Sequence, residues 1–400
     1  MKSPFEGKRI VLGVTGSIAC YKAADLCSKL VQGGAQVDVV LTRSATEFIT
    51  PLAFRSLTHR SVVTHMFDPE SELSIQHVVL AERADIVVIA PATANTLAKL
   101  ATGLADDALT ATVLATAAPV VVAPAMDAHM YDNAATQENL EKLKRRGVTV
   151  VGPAKGRLAS GLMGLGRMVE PAELLGHIAA ALGRHGDLAG KKIVVSAGGT
   201  QEAIDPVRVI TNRSSGKMGY AIAEAARDRG AHAVLVTAPT ALSAPAAVEV
   251  CHVTSVASMR EAVLSACVGA DALIMAAAVS DYRAAQVATH KMKKEESANG
   301  LTLHLVKNAD FFLEVPKGVL RVGFAAESED LLTNAQKKLK EKGLALIAAN
   351  DITAPDSGFN VDTNKVTILD RNGGVDDLPL MTKYEVAQRI LDRVAELLKR

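Results

Sequence analysis

Two stretches of the chain carry the same order of apolar and polar positions. Near the start stands KRIVLGVTGSIACYKAADLCSKLVQGGAQVDVVLT, and near the middle KKIVVSAGGTQEAIDPVRVITNRSSGKMGYAIAEAARDRGAHAVLVTA. Each reads as a β-branched apolar run, a Gly-containing turn, an amphipathic stretch of helical period, a Gly-Ala stop and a second apolar run. A third apolar run follows Ala-Asp in both halves: ADIVVIAPATANT from Ala84 and ADALIMAAAVSDYR from Ala270. Continuous apolar strands alternating with helices predict parallel sheets covered on both faces. The fold class is therefore α/β, with two Rossmann-like halves. The polar, Gly-containing stretch from Gly183 to Lys192 marks the junction, which predicts domains of residues 1–186 and 187–400.

Ligands of such sheets bind beyond the carboxyl ends of the strands. The loops of interest thus follow Val14, Leu41, Ala90 and Ala123 in the first half, and Ser196, Val236 and Met275 in the second. Neither first turn, GVTGSIA or SAGGTQE, has the GxGxxG spacing that brings backbone to a pyrophosphate. The second strands end in Thr42-Arg43-Ser44 and Thr237-Ala238-Pro239, without the acid that binds an adenosine ribose. These two departures oppose a nicotinamide dehydrogenase. A turn with Thr15, Gly16 and Ser17 at a helix start, joined by Thr42 and Ser44, suits one terminal phosphate and suggests FMN. The plainer alternative is that Ser17 and Thr42 only cap turns and helices. Thr93 and Asn95 fit helix capping and hydrogen bonds to a ring edge, and Asp106-Asp107 can start another helix. His77, in SIQHVVLAERAD before a strand, reads as a structural histidine or as a base near neutral pH.

Composition narrows the classes further. Four hundred residues exceed one ordinary core. Forty-four basic against 43 acidic residues give no global pull toward nucleic acid or anionic membrane. No Trp is present, which argues against stacking platforms for single strands. The N-terminus lacks a signal-peptide apolar region, and no apolar run reaches the length of a membrane span. Cys20, Cys27, Cys251 and Cys267 form no CxxC pair and no cluster with His, so all four are expected to be small buried hydrophobes in a reducing cytosol. The expectation is a cytoplasmic protein.

In the second half, SSGKMG opens a helix whose N-terminus can receive an anion. Asn212 can orient an acyl group with neutral hydrogen bonds, and Arg208 can pair bidentately with phosphate. HKMKKEE, from His290 to Glu296, reads by composition as a solvated charge run.

Nine segments in order, GVTGSIACYKAADL, APATANTLAKLATGLADD, APAM, GLGRMVEP, DPVRVITNRSSGKMG, AAAVSDYR, HKMKK, GFAAES and AAND, give the chain a resemblance over nearly its whole length. It resembles the bacterial bifunctional phosphopantothenoylcysteine decarboxylase/phosphopantothenate–cysteine ligases of coenzyme A synthesis. The resemblance implies a flavodoxin-like first domain that binds FMN at Gly16, Ser17, Thr42 and Ser44, with His77 as active-site base. In that family FMN oxidises the cysteinyl thiol end of the substrate, the carboxylate leaves as carbon dioxide, and the enethiolate is then reduced and protonated. For the second domain it implies attack of the 4′-phosphopantothenate carboxylate on the α-phosphate of CTP, giving an acyl-cytidylate and pyrophosphate. L-cysteine then displaces CMP. Asn212 would contact the acyl-cytidylate with Arg208 beside it, and Lys291 would serve the α-phosphate. Met275, Ala276, Ala277, Asp281, Ala309, Asp310, Phe311, Phe324, Lys338 and Lys342 match CTP contacts. Mg2+ would arrive with the triphosphate. The resemblance further implies ligase dimers and flavin-domain trimers that combine into a dodecamer.

The chain departs from the family in one pocket twice. The pattern Pro-Ala-Met-Asn-x-x-Met-Trp becomes Pro124-Ala125-Met126-Asp127-Ala128-His129-Met130-Tyr131. An Asn donates hydrogen bonds to the departing carboxylate; an ionised Asp127 cannot, and repels it. The usual Leu-Ala-Cys-Gly, whose Cys is the final proton donor, becomes Leu158-Ala159-Ser160-Gly161. A hydroxyl is a far weaker acid than a thiol, and relatives without that Cys stop at the enethiol. Three readings follow: Asp127 is held protonated, the chemistry is rearranged with help from His129, or the flavin domain is impaired and serves for FMN binding and oligomerisation. The ligase half differs more mildly, with Asn308-Ala309-Asp310-Phe311 for Asn-Pro-Asp-Ile and Ala345 for a frequent Asp.

Overall fold

The structure, a computed structural model, describes residues 3–67, 76–293, 301–327, 330–351, 358 and 360–399. Internal contacts divide the chain into two units, Met1–Gly183 and Arg184–Arg400.

The first unit runs β1 (Arg9–Val14), α1 (Cys20–Gln32), β2 (Gln36–Leu41), α2 (Pro51–Thr58), β3 (Val62–Val63), α3 (Gln76–Arg83), β4 (Ile86–Ala92), α4 (Ala94–Thr102), α5 (Ala108–Ala115), β5 (Val120–Pro124), α6 (Ala128–Asp132), α7 (Ala134–Arg145), β6 (Thr149–Val150), β7 (Ala154–Arg157), β8 (Met163–Arg167) and α8 (Pro171–Gly183). Six strands form one parallel sheet in the order β3-β2-β1-β4-β5-β6. Alternate residues of β1 serve opposite faces. Ile10, Leu12 and Val14 pack with Leu26 and Leu30 of α1 and with Leu174 and Ile178 of α8. Val11 packs with Val87, Ile89, Leu97 and Leu140 on the other face. Each such fully buried side chain stabilises the fold by about 1.5–3 kcal/mol. The strand order reverses between β1 and β4, so the loops after these strands diverge and leave a crevice between them. A hairpin of β7 and β8 lies outside this sheet.

The second unit runs β9 (Lys192–Ala197), β10 (Gln201–Ala203), β11 (Val209–Thr211), α9 (Lys217–Arg227), β12 (His232–Thr237), β13 (Glu249–His252), α10 (Val256–Ala266), β14 (Ala272–Met275), β15 (Tyr282–Ala284), β16 (Leu305–Lys307), β17 (Leu320–Glu327), α11 (Leu331–Glu341), β18 (Leu346–Asp351), β19 (Thr363–Asn364), β20 (Val366–Asp370), β21 (Val375–Asp377), β22 (Met381–Thr382) and α12 (Lys383–Leu398). Its sheet has the order β13-β12-β9-β14-β17-β18-β20-β21, parallel as far as β18 and antiparallel beyond. Helices α9 and α12 cover one face through Ile222, Ile390, Leu391 and Val394. Helices α10 and α11 cover the other through Met259, Val263, Ala335 and Leu339. Two antiparallel hairpins, β10–β11 and β15–β16, stand outside the sheet.

The cysteines divide. Cys20, Cys27 and Cys267 are buried, and burial pushes the thiols of Cys27 and Cys267 up to about 12 and about 11. Cys251 is exposed on β13, the edge strand of its sheet, so the expectation of four buried thiols is corrected there. No helix among the described residues is long and apolar enough to cross a membrane.

Candidate functional site

The first unit holds a cavity of about 950 Å³ at the crevice between the β1 and β4 loops. Such a volume is ample for a cofactor-sized ligand. Gly16, Ser17, Thr42, Ser44, Thr93, Asn95, Asp127 and Ser160 all line it.

The turn after β1 owes its shape to contacts that only a small residue permits. A Cβ on Gly16 would lie 2.4 Å from Ser44 Cβ and 3.0 Å from the Ser44 carbonyl carbon. The first turn and the loop after β2 therefore touch, and Ser17, Thr42 and Ser44 border the same cavity. Ser17 Oγ accepts from Ala19 N–H at 3.3 Å, and Thr42 Oγ1 accepts from Ala45 N–H at 3.3 Å. Both hydroxyls cap local turns and still border the cavity, so the plainer reading and the phosphate reading coexist. Thr15, to which the sequence alone assigns only a place in the turn, ties the two loops together. Its Oγ1 donates to Pro91 O at 2.7 Å and accepts from Thr93 N–H at 3.1 Å. Thr93 caps α4 and Asp107 caps α5. A glycine-floored pocket of hydroxyls and turn N–H groups fits the terminal phosphate of FMN.

The opposite wall is the β7–β8 hairpin. A Cβ on Gly166 would meet Met126 O at 2.2 Å, and one on Gly164 would meet Ala128 Cβ at 2.7 Å. The hairpin thus lies directly on residues 126–128 and delivers Ser160 to Asp127. Ser160 Oγ donates to Asp127 Oδ2 at 2.6 Å, while Asp127 Oδ1 accepts from His129 N–H at 3.0 Å and meets His129 Nδ1 at 3.1 Å. The Ser160 hydrogen bond first, and the His129 N–H second, hold the Asp127 carboxyl below the usual carboxylate range. The acid is therefore ionised near neutral pH, which opposes the protonated reading. Asp127 also caps α6, a duty that Asn performs equally well, so the fold does not demand a carboxylate here. Lys22, almost fully buried on α1, donates to Met168 O at 2.7 Å and to Glu170 Oε1 at 2.9 Å, clamping the end of this wall to α1.

His77 does not line the cavity. It sits in α3, where the sequence alone shows only a run before a strand. Its Nδ1 is buried and has no hydrogen-bond partner among the described residues.

The second unit holds a cavity of about 540 Å³. Asn212, Met275, Ala276, Ala277, Asp281, Ala309, Asp310, Phe311, Phe324, Lys338 and Lys342 all line it. The floor is the strand end after β14, fixed where Ala277 N–H donates to Ser196 Oγ at 3.1 Å. Asn212 Nδ2 donates to Val279 O at 3.2 Å, which draws the end of the β10–β11 hairpin onto that floor. Gly216, with φ of 77°, caps α9 and turns the helix N-terminus toward the cavity. Asp310 pairs with Lys342 at 3.0 Å, and Lys217 pairs with Asp362 at 2.7 Å.

Two wall residues escaped sequence reasoning. Lys383, the first residue of α12, is 5% exposed and donates to Gly358 O at 2.8 Å and to Val361 O. Burial first, then the nearby Lys217 charge, lowers its pKa to about 8. Asn308 donates to Ser280 O at 2.9 Å and steadies the loop that carries Asp281. Arg208 and Lys291 do not line the cavity. Arg208 Nη1 pairs with Asp205 at 3.3 Å, and Lys291 is exposed. Lys294, Glu295 and Glu296 of the HKMKKEE run lie outside the described residues. Among the described residues no group of three or more His, Cys, Asp or Glu is placed to hold a metal ion.

Comparison with known proteins matches both halves. Residues 2–183 match the family described as Flavoprotein, and residues 188–398 match the DNA/pantothenate metabolism flavoprotein C-terminal domain. The chain is 46% identical over 396 residues to the coenzyme A biosynthesis bifunctional protein CoaBC of Vibrio parahaemolyticus, covering 98% of this chain and 99% of that one. It is 45% identical over 398 residues to the protein of the same name from Bacillus subtilis, covering 98% of each. A crystal structure of the C-terminal domain of a CoaBC protein is 41% identical over 53% of this chain and 98% of that chain, with a TM-score of 0.46. With a flavoprotein half, a pantothenate-metabolism half and near-complete coverage by these relatives, the chain belongs to the family of bifunctional coenzyme A biosynthesis proteins.

Proposed function

We propose that the chain converts 4′-phosphopantothenate, L-cysteine and CTP into 4′-phosphopantetheine, CMP, pyrophosphate and carbon dioxide. The second unit forms the amide, and the first removes the carboxylate. The observation that supports this best is the convergence of Asn212, Asp281, Phe324, Lys338 and Lys342 from distant segments onto one cavity. A carboxylate is a poor electrophile, so ligation needs an activated acyl group. Lysines on the wall neutralise phosphate charge, and Asn212 steadies the acyl group with neutral hydrogen bonds. Mg2+ belongs with the triphosphate as part of the substrate. Arg208 and Lys291 do not line the cavity, and both belong to segments fastened to the hairpin whose open end carries Asn212.

In the first unit Gly16, Ser17, Thr42 and Ser44 would hold the FMN phosphate, with Thr93 and Asn95 near the ring. Bound FMN supplies two-electron oxidation and reduction at the cysteinyl sulfur end. The chain's own task is to receive the carboxylate and to return a proton after carbon dioxide leaves. Ionised Asp127 opposes the first part, and Ser160 has its hydroxyl proton committed to Asp127. The same pair favours a second reading, in which the ligase works and the flavin unit stops at the enethiol or does not turn over. The buried Nδ1 of His77 has no partner among the described residues, and His77 lies off its own chain's cavity. That supports a homo-oligomer in which it serves the cavity of another copy, in keeping with flavin-unit trimers and ligase dimers within a dodecamer. Substrates of this kind are metabolites of the cytoplasm, which supports the reading of a cytoplasmic protein.

The ligase half is tested by incubating the protein with 4′-phosphopantothenate, L-cysteine, CTP and Mg2+ and following CMP and pyrophosphate. Release of both, lost in Lys291→Ala, is expected. Full turnover by Lys291→Ala would remove that lysine from the reaction.

A further inference from the structure

Asp205 stands in the turn between β10 and β11, and its side chain is fully buried although it carries a charge. Its two oxygens have separate partners. Oδ1 accepts the backbone N–H groups of Val207 and Arg208, both at 2.8 Å, as an Asp does at the head of a tight turn. Oδ2 faces away from the turn. It accepts Arg208 Nη1 at 3.3 Å and the backbone N–H of Met292 at 3.3 Å. Arg208 Nη2 reaches Met292 O at 3.4 Å, so guanidinium and carboxylate together grip both polar groups of one remote peptide residue. Ala288 N–H adds a backbone bond to Ile204 O at 2.9 Å. The segment that carries Lys291 is thereby fastened to the hairpin whose other end carries Asn212.

A turn needs only Oδ1. The second oxygen, buried and charged, is spent on Met292 and Arg208, neither of which the turn requires. Burying an ionised carboxylate is unfavourable unless its acceptor sites are filled, and filling them here immobilises the neighbour of Lys291.

We propose that Asp205 is a positioning residue of the ligase reaction. Through Oδ2 it locks Arg208 and the Lys291 segment into one rigid piece with the β10–β11 hairpin. This rests on the reading of Lys291 and Asn212 as working groups of the ligase. Asp205 itself does not line the cavity and touches no substrate.

Asp205→Asn is the selective variant. Its amide oxygen can keep the two turn N–H bonds, while its NH2 would face the Met292 N–H and the guanidinium, donor against donor. Asp205→Ser is the second variant, because a hydroxyl also heads such turns and leaves the Oδ2 position empty. The measurement is single-turnover pyrophosphate release from CTP and 4′-phosphopantothenate without cysteine, beside KM for CTP, the melting temperature, and trypsin cleavage after Lys291. In at least one variant that melts like wild type, the rate is expected to fall about 100-fold, the loss typical of a reacting group displaced by about 1 Å. KM for CTP should hold, and cleavage after Lys291 should quicken.

Lys291→Ala and Asp205→Asn/Lys291→Ala complete the set. If Asp205 acts through Lys291, the double variant is no slower than Lys291→Ala. A folded Asp205 variant that releases pyrophosphate at the wild-type rate overturns the proposal, as does a fully additive double variant. If both Asp205 variants lose the wild-type melting transition, Asp205 is a folding residue and the proposal falls. Wild-type turnover by Lys291→Ala overturns instead the assignment of that lysine.

Discussion

Replacing Gly16 by alanine tests the phosphate end of the first cavity. The new methyl carbon would stand 2.4 Å from Ser44 Cβ. Unstrained carbon–carbon contacts lie at about 3.5–4.0 Å, so the turn after β1 and the loop after β2 must separate by about 1 Å. Gly16 has no positive φ, so the effect is a collision between loops and not a backbone conformation denied to alanine. Overpacking of this kind costs about 1–3 kcal/mol. Without ligand the two loops can splay and relieve it; around a phosphate they must close. With that strain carried by the bound state, FMN affinity drops roughly 5- to 140-fold, since each 1.4 kcal/mol is a factor of ten. The assay is fluorescence titration of apoprotein with FMN, with the flavin absorbance of the purified protein as a second reading. CTP-dependent ligation by the second unit should be unchanged and serves as the control for folding. FMN binding at wild-type affinity by Gly16→Ala would refute the placement of the phosphate between these loops.

Three further outcomes are expected. Asp127→Asn and Ser160→Cys, made singly, each change one member of a hydrogen-bonded pair. The double replacement should decarboxylate faster than the two single effects combined would give, and additive effects in a double-mutant cycle would contradict the coupling. Lys383 has its pKa lowered from 10.5 to about 8. Below pH 8 folded and unfolded chains both carry this proton; between 8 and 10.5 only the unfolded chain keeps it, so stability rises with pH across that window. Urea titrations should show wild type gaining about 3 kcal/mol relative to Lys383→Met between neutral pH and pH 10.5, and a pH-independent difference would oppose the buried charge. Lys22→Met removes the clamp on Met168 and Glu170, so trypsin should cut severalfold faster at Arg157 and Arg167, and an unchanged digestion rate would show that β7 and β8 are held by other contacts.

The sheets were legible because a buried parallel strand needs an unbroken apolar run, and Ile10 to Val14, Ile86 to Ala90 and Ile193 to Val195 supply one. Helix starts were legible where chemistry marks them, as at Thr93 and Asp107. Helix α3 has no clear signal because its eight residues mix apolar and polar positions too briefly to establish a period. The two hairpins of the second unit were missed for a similar reason, each strand being three residues long. Loop residues gathered by the strand ends were found because topology places them together. Contacts made by tertiary folding left no local signal. Asp127 and Ser160 are 33 positions apart, Asp205 and Met292 are 87 apart, and Lys383 reaches its cavity from the far end of the chain. Cys251 failed a compositional rule because β13 is an edge strand.

The most direct test supplies purified, flavin-loaded protein with 4′-phosphopantothenoylcysteine, without CTP, and identifies the products by mass spectrometry. The account predicts loss of carbon dioxide and appearance of 4′-phosphopantetheine, achieved with Asp127 and Ser160 in place. An enethiol that accumulates would confine the defect to protonation at Ser160. Unchanged substrate, converted only after Asp127→Asn and Ser160→Cys are combined, would contradict a working decarboxylase and leave the chain a ligase with an idle flavin unit.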